Sequence, residues 1–272
     1  MLPYRLLIPF ALLSLVAAPA QATTSVWATF GSADLGGSFI PLCDEVYSVG
    51  TSASVSCSEG HNQGAASASA QHGSLGAYAW VYSGYAVTDN RSYQAYSQAR
   101  FSDSLQLGED PIGAGVWTDA RAVFTLSGFS EKIDAPTFME IGDMFVDWTF
   151  TVTVNGLELQ PSNGQPLPGK ESHYDFDMTP GQPVNFSAML EANARCYGCD
   201  VSYEAIVDFS NTAILSAVQV KDPGTGLYLD PGAFTLTSGE GASYANVVPE
   251  PTTALLLAAG LAGLAMRRRF LA

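Results

Sequence analysis

The chain has 272 residues, of which 47% are hydrophobic and 14% charged, with 11 basic against 26 acidic side chains and a formal charge of −15. Such an acidic balance makes nucleic acid and anionic membrane surfaces poor partners. Once two terminal labels are set aside, the remaining length fits one large all-β domain or two small ones.

The first label is N-terminal. Arg5 precedes an apolar stretch from Leu6 to Ala18, and Ala20-Gln21-Ala22 follows. A positive start, an apolar middle and a small-residue site are the order of a secretory signal peptide. Residues 1–22 are therefore expected to form a signal helix that signal peptidase removes after export through the Sec translocon. Ala20 and Ala22 mark the cleavage site, and Thr23 is the first mature residue.

The region from Thr51 to about Gly76 is rich in Ser, Ala and Gly. It reads as a thin edge strand or a loop, with little to give a core. Next, Tyr78, Trp80 and Tyr82 alternate with Ala77, Ala79 and Val81. Period two puts the three aromatics on one strand face and the small residues on the other. Core-facing aromatics are the commoner arrangement. The opposite one would leave a flat aromatic row on the surface for stacking on sugar rings.

Farther on, the alternation is regular. Val116, Ala120, Ala122, Phe124 and Leu126 share a face, as do Val146, Trp148, Phe150, Val152 and Val154. Asn155-Gly156 then suits a type I′ hairpin turn. Val184, Phe186, Ala188, Leu190, Ala192 and Ala194 form another apolar face, and Tyr203, Ala205, Val207 and Phe209 a fourth. Ile214, Val218 and Val220 suggest a fifth. Clusters at Asp110-Pro111, Pro161 to Gly169, Pro180-Gly181 and Asp222-Pro223-Gly224 separate these runs. Half-buried strands with short turns predict an antiparallel, jelly-roll-like β-sandwich over residues 23–248.

Four cysteines in an exported chain predict disulfides. Of the three connectivities, Cys43 with Cys57 and Cys196 with Cys199 is preferred. The first would close a loop of about 15 residues and contribute roughly 3 kcal/mol. Cys196-x-x-Cys199 also fits a redox pair or half a zinc site. A redox pair wants a helix after it, and a strand-like segment follows instead. The histidines at 61, 72 and 173 show no ligand spacing, so neither a metal nor a cofactor is expected. Asp175 and Asp177 flank Phe176, and Asp143 and Asp147 lie near another strand. Either pair suits calcium or a glycosidase in residue type, but no loop has calcium-hand spacing, and solvated carboxylates are the default. With no G-x-S-x-G elbow and no Gly-rich phosphate loop, no catalytic residue is assigned and the chain is not expected to be an enzyme.

The second label is C-terminal. Pro249-Glu250-Pro251 precedes an apolar run from Ala254 to Met266, and Arg267, Arg268 and Arg269 follow. The prolines cannot continue a helix backwards, so a helix beginning near Thr252 leaves Pro-Glu-Pro extended. Its thirteen apolar residues span roughly 20 Å against a bilayer core of about 30 Å, and arginine stems can cover part of the deficit. The arginines would hold the C-terminus on the cytoplasmic side. With both labels removed, the body keeps 7 basic and 25 acidic residues, near −18.

Val-Val-Pro-Glu-Pro, the Ala/Leu/Gly helix and the terminal arginines resemble the PEP-CTERM sorting signal of Gram-negative bacteria, here residues 249–272. Asp208 to Leu215, with Thr237-Ser238-Gly239 and Ser243-Tyr244, is similar to the stretch that often precedes that tail. The resemblance implies an exosortase partner that removes the tail, transient insertion in the inner membrane, and delivery to the cell surface or extracellular matrix. It further implies a structural or adhesive role with exopolysaccharide. The other reading is a secreted carbohydrate-binding module or a polysaccharide-active enzyme using a carboxylate pair.

Overall fold

The computed structural model describes residues 23–34, 39–43, 45–59, 62–71, 73–83, 91–109, 116, 118–134, 143–197, 203–229 and 231–239. The signal peptide, the sorting tail with Pro249, Glu250, Pro251 and Arg267 to Arg269, and Cys199, His61 and His72 lie outside them. Among the described residues sixteen strands form in chain order. The first eight are β1 (Thr23–Asp34), β2 (Ile40–Pro41), β3 (Val46–Ser48), β4 (Ser52–Glu59), β5 (Asn62–Gln71), β6 (Ser74–Ser83), β7 (Arg91–Leu107) and β8 (Thr118–Leu126). The others are β9 (Phe129–Asp134), β10 (Asp143–Val154), β11 (Leu157–Leu159), β12 (Glu171–Met178), β13 (Pro183–Tyr197), β14 (Tyr203–Lys221), β15 (Tyr228–Leu229) and β16 (Leu236–Ser238). Among the described residues no helix is long and apolar enough to cross a membrane.

The strands make two antiparallel sheets packed as a sandwich. One has the order β11-β10-β13-β7-β1-β2, with β16 beside β7 and β3 beside β1. The other runs β12-β8-β14-β6-β5-β4, with β9 and β15 beside β14. Alternation in the sequence explains why each strand buries one face. On β13, Val184, Phe186, Ala188, Leu190, Ala192 and Ala194 are all buried, and the residues between them point outward. The β10–β11 hairpin turns at Asn155 and Gly156, whose φ angles of 51° and 80° are those of a type I′ turn.

Three expectations needed correction. The Thr51 to Gly76 stretch is two ordered strands, and its small residues do enter the core: Ala53, Val55, Ala66, Ala68 and Ala70 are buried. The fourth and fifth apolar runs are one strand, β14. The register shift between Leu215 and Ala217 sets two residues against one and resets its phase, whereas the shift between Phe209 and Ala213 leaves the phase unchanged. Leu215 is therefore buried and Ile214 faces out, although Val218 and Val220 are buried as expected. Val116 lies outside its strand and is exposed.

The core differs across its width. Where β4, β5 and β6 cover β1 and β7, the inward side chains are mostly alanine. Gly64 marks a close approach of the two sheets there, since a Cβ on it would lie 2.0 Å from the Phe30 ring; Gly76 marks one within a single sheet, where a Cβ would lie 2.0 Å from the Ser210 carbonyl oxygen of the neighbouring β14. Where β8 and β12 face β10 and β13, the core is aromatic. Phe124 meets Phe150 edge-on at 4.8 Å, stacks with Phe186 at 6.2 Å and contacts Tyr174 at 6.0 Å.

Candidate functional site

The alanine-packed half decides the orientation of the aromatic row. Ala77, Ala79 and Val81 are at most 1% exposed and form the floor of β6 against the opposite sheet. Tyr78, Trp80 and Tyr82 consequently stand on the outer face of the second sheet, partly exposed. At about 6.7 Å per pair of residues, the three side chains extend over roughly 13 Å. The Trp80 and Tyr82 rings lie 6.4 Å apart with planes within 18° of each other.

Pairing of the strands places defined neighbours on each side of the row. One cross-strand line runs Ser54, Ser67, Tyr78, Asp208, Phe129. The next runs Ser56, Ala65, Trp80, Ile206, Glu131, and the third Ser58, Gln63, Tyr82, Glu204, Ile133. The aromatic ridge thus stands between a low serine and alanine surface on β4 and β5 and a carboxylate-bearing flank on β14 and β9. The Trp80 indole N–H donates to Glu204 Oε1 at 2.7 Å, which fixes the ring. Burial, then the charges of Asp208 and Glu204, raise the pKa of Tyr78, so its hydroxyl stays a donor. A hollow of about 560 Å³ beside Tyr78 is lined by Ser52, Ser54, Ser67, Ser69 and Ser210. Stacking surfaces ringed by hydroxyls and fixed carboxylates suit a ligand with apolar faces and many hydroxyls.

The aspartates do not gather. Asp175 and Asp177 lie on β12 and Asp147 on β10, in opposite sheets, and the Asp143 side chain is outside the described ones. Asp175 is held by Arg121, whose Nε donates to Oδ1 at 2.6 Å and Nη2 to Oδ2 at 3.2 Å. Those bonds lower its pKa below the usual aspartate value. Lys221 similarly pairs with Asp119 at 2.9 Å, and the Tyr228 ring lies 4.2 Å from the Arg121 guanidinium carbon. These groups line a cleft of about 770 Å³ with Leu157 and Phe176. Among the described residues no three His, Cys, Asp or Glu side chains are placed to hold a metal ion.

Cys43 and Cys196 are half-cystines, and no described cysteine is free. The Cys57 side chain, like Cys199, is outside the described residues.

The sequence reading missed the Arg121 cleft. Its charges come from β8, β12 and β14, which are brought together by register alone. The polar surface of the first sheet was likewise invisible, since its side chains come from four strands far apart in the chain.

Residues 247–269 match the PEP-CTERM protein-sorting motif. No curated protein and no solved structure matches the chain. The motif marks an exported protein sorted at the cell surface, with exosortase as its processing partner.

Proposed function

We propose that the body is a non-catalytic structural or adhesive component of the cell surface or extracellular matrix, holding exopolysaccharide on Tyr78, Trp80 and Tyr82. The observation that carries this reading is the outward row over a floor of buried alanines. A sandwich gains nothing in its core from that arrangement, and three large rings on one outer face are the usual mark of a contact surface. Sec export with cleavage after Ala22 and removal of the tail by exosortase would deliver the body, from Thr23 to about residue 248, stapled by Cys43–Cys57 and Cys196–Cys199. Charge supports the same setting, since an acidic body stays soluble among polymers without binding nucleic acid.

Asp175 is unsuited to serve as the general acid of the hydrolytic alternative. A general acid needs a carboxyl held protonated near neutral pH. Asp175 has the opposite environment, ionised against Arg121.

The test is affinity electrophoresis of the mature body in native gels containing matrix polysaccharides. Wild type should be retarded, and Trp80→Ala should weaken the association at least tenfold, about 1.4 kcal/mol. Equal retardation of both proteins would remove the row from the mechanism. Intact mass of the protein from cells with and without exosortase tests delivery, and a form keeping Arg267 to Arg269 in both would refute it.

A further inference from the structure

We propose that the outer face of the first sheet is a second saccharide-binding surface, which takes an extended, uncharged glycan over Trp27, Tyr96, Gln98, Glu191, Asn193 and Arg195. It extends the carbohydrate reading above to a face that no motif marks, and it makes the body a bridge between two glycan chains.

Register builds the surface. One cross-strand line runs Tyr47, Trp27, Gln98, Glu191, Thr149, and the next runs Thr29, Tyr96, Asn193, Asp147. Trp27 and Tyr96 pack edge to face at 4.9 Å and form the aromatic part. Around them the polar side chains are already oriented. Glu191 accepts from Thr149 Oγ1 at 2.6 Å, from Gln98 Nε2 at 2.8 Å and from the Tyr96 hydroxyl. Gln94 Nε2 donates to Asn193 Oδ1 at 2.9 Å, and Arg195 donates to Gln94 Oε1 and to the Tyr197 hydroxyl.

A merely solvated sheet face needs no such order. Fixing long polar side chains costs conformational entropy, and water satisfies them as well when they are free. Lateral bonds that lock amides, a carboxylate and a guanidinium in one plane lower the cost of binding a ligand that presents several hydroxyls at once. The indole N–H of Trp27 is buried without an acceptor. A sugar oxygen seated beside the Tyr96 ring supplies one after a small rotation of that ring. Such a bond matters because a buried donor left unpaired is unfavourable.

The same face continues along the strands. The line Thr23, Ser102, Ser187, Thr153 opens into a hollow of about 320 Å³ that also includes Arg100. Hollow and aromatic pair are four residues apart on β1, roughly 13 Å. At the described outward positions of β1, β7, β13 and β10 the charges are Arg100, Arg195, Asp147 and Glu191, while Asp103 also lines the hollow and Glu158 stands beside Thr153 on β11. With carboxylates outnumbering guanidinium groups, this trough fits an uncharged glycan better than an acidic one. It also backs directly onto the part of the core covered by β5 and β6, so the two surfaces are opposite each other.

The experiment uses the mature body, neutral soluble polysaccharides (glucan, xylan, galactomannan) in native gels, and oligosaccharides of the retarding polymer in solution. Gln98→Ala combined with Glu191→Gln removes the trough, and Trp80→Ala combined with Tyr82→Ala removes the ridge. Tyr96→Phe is the mild trough variant, deleting only a hydroxyl. Thermal midpoints identify any variant that fails to fold, and in wild type the Trp27 indole N–H resonance reads the trough without substitution. The expected result is at least a tenfold loss of association in each double variant, complete loss in the quadruple variant, and a shift of the Trp27 resonance on adding oligosaccharide. Only wild type should make the polymer turbid by bridging. Trough variants that bind like wild type, with an unmoved Trp27 signal, overturn this inference while leaving the ridge reading intact. Loss in the trough variants alone supports it and removes the ridge. No retardation by any neutral polymer overturns both.

Discussion

The two lateral halves of the sandwich solve the problem of burial differently. Under β8 and β12 the space between the sheets is filled by Phe124, Phe150, Tyr174, Phe176 and Phe186. Under β4, β5 and β6 it is filled mainly by alanine, with the stacked rings of Phe30 and Tyr93 among the large side chains there. The aromatic residues of that second half are on the outside instead: Tyr78, Trp80 and Tyr82 on one sheet, Trp27 and Tyr96 on the other. A thin core and decorated outer faces go together, because residues that alternate along a strand cannot be large on both sides of closely approaching sheets. The phenylalanine half supplies stability, and the alanine half supplies surface.

Substitutions can break that division. Phe124→Ala should cost most, about 3–5 kcal/mol, by opening a cavity among three rings, Phe150, Tyr174 and Phe186. Denaturant unfolding checks it, and a loss under 1 kcal/mol would show that the aromatic half is not the stabilising one. Gly76→Ala comes next, at about 1–3 kcal/mol, since its Cβ would meet the Ser210 carbonyl oxygen and backbone cannot step aside. Unchanged stability would mean that β14 gives way beside β6 at its register shift.

Smaller effects sharpen the comparison. The Tyr174 hydroxyl is buried without a partner, and burial raises its pKa. Tyr174→Phe should therefore stabilise the protein by about 1 kcal/mol, and a lower midpoint would reveal a hidden acceptor. The smallest effect is electrostatic. The folded-state pKa of Asp175 is lowered, first by its bonds to Arg121. Its contribution is complete above the ordinary value of 3.8 and is lost as pH falls through the lower folded value. Wild type and Asp175→Asn should thus differ at pH 6 and converge near pH 2, as measured by thermal midpoints. A gap that widens on acidification would reverse the assignment.

The sequence was readable where period two was unbroken. The faces of β10 and β13 and the turn at Asn155-Gly156 followed directly, because each depends on neighbours in the chain. It was unreadable where phase or partner changed. Leu215 and Ile214 exchange roles because of a register shift that leaves no mark in composition. Tyr78, Trp80 and Tyr82 point outward, against the core-facing arrangement that the sequence favoured, for a related reason: alternation defines two faces, and only the width of the space beneath tells which is inner. Lines such as Trp27, Gln98, Glu191 and Thr149 join residues more than 40 positions apart, so no local signal announces them.

Strand β14 has a consequence for how the molecule comes apart. Over 19 residues it pairs with β6 on one side and with β8 and β9 on the other. It is the seam through which both halves of its sheet are hydrogen-bonded, and neither half can melt without stripping it. Heating should accordingly produce one cooperative transition, in which the softer alanine half borrows the persistence of the aromatic one and keeps its outer rings in place until the whole body fails.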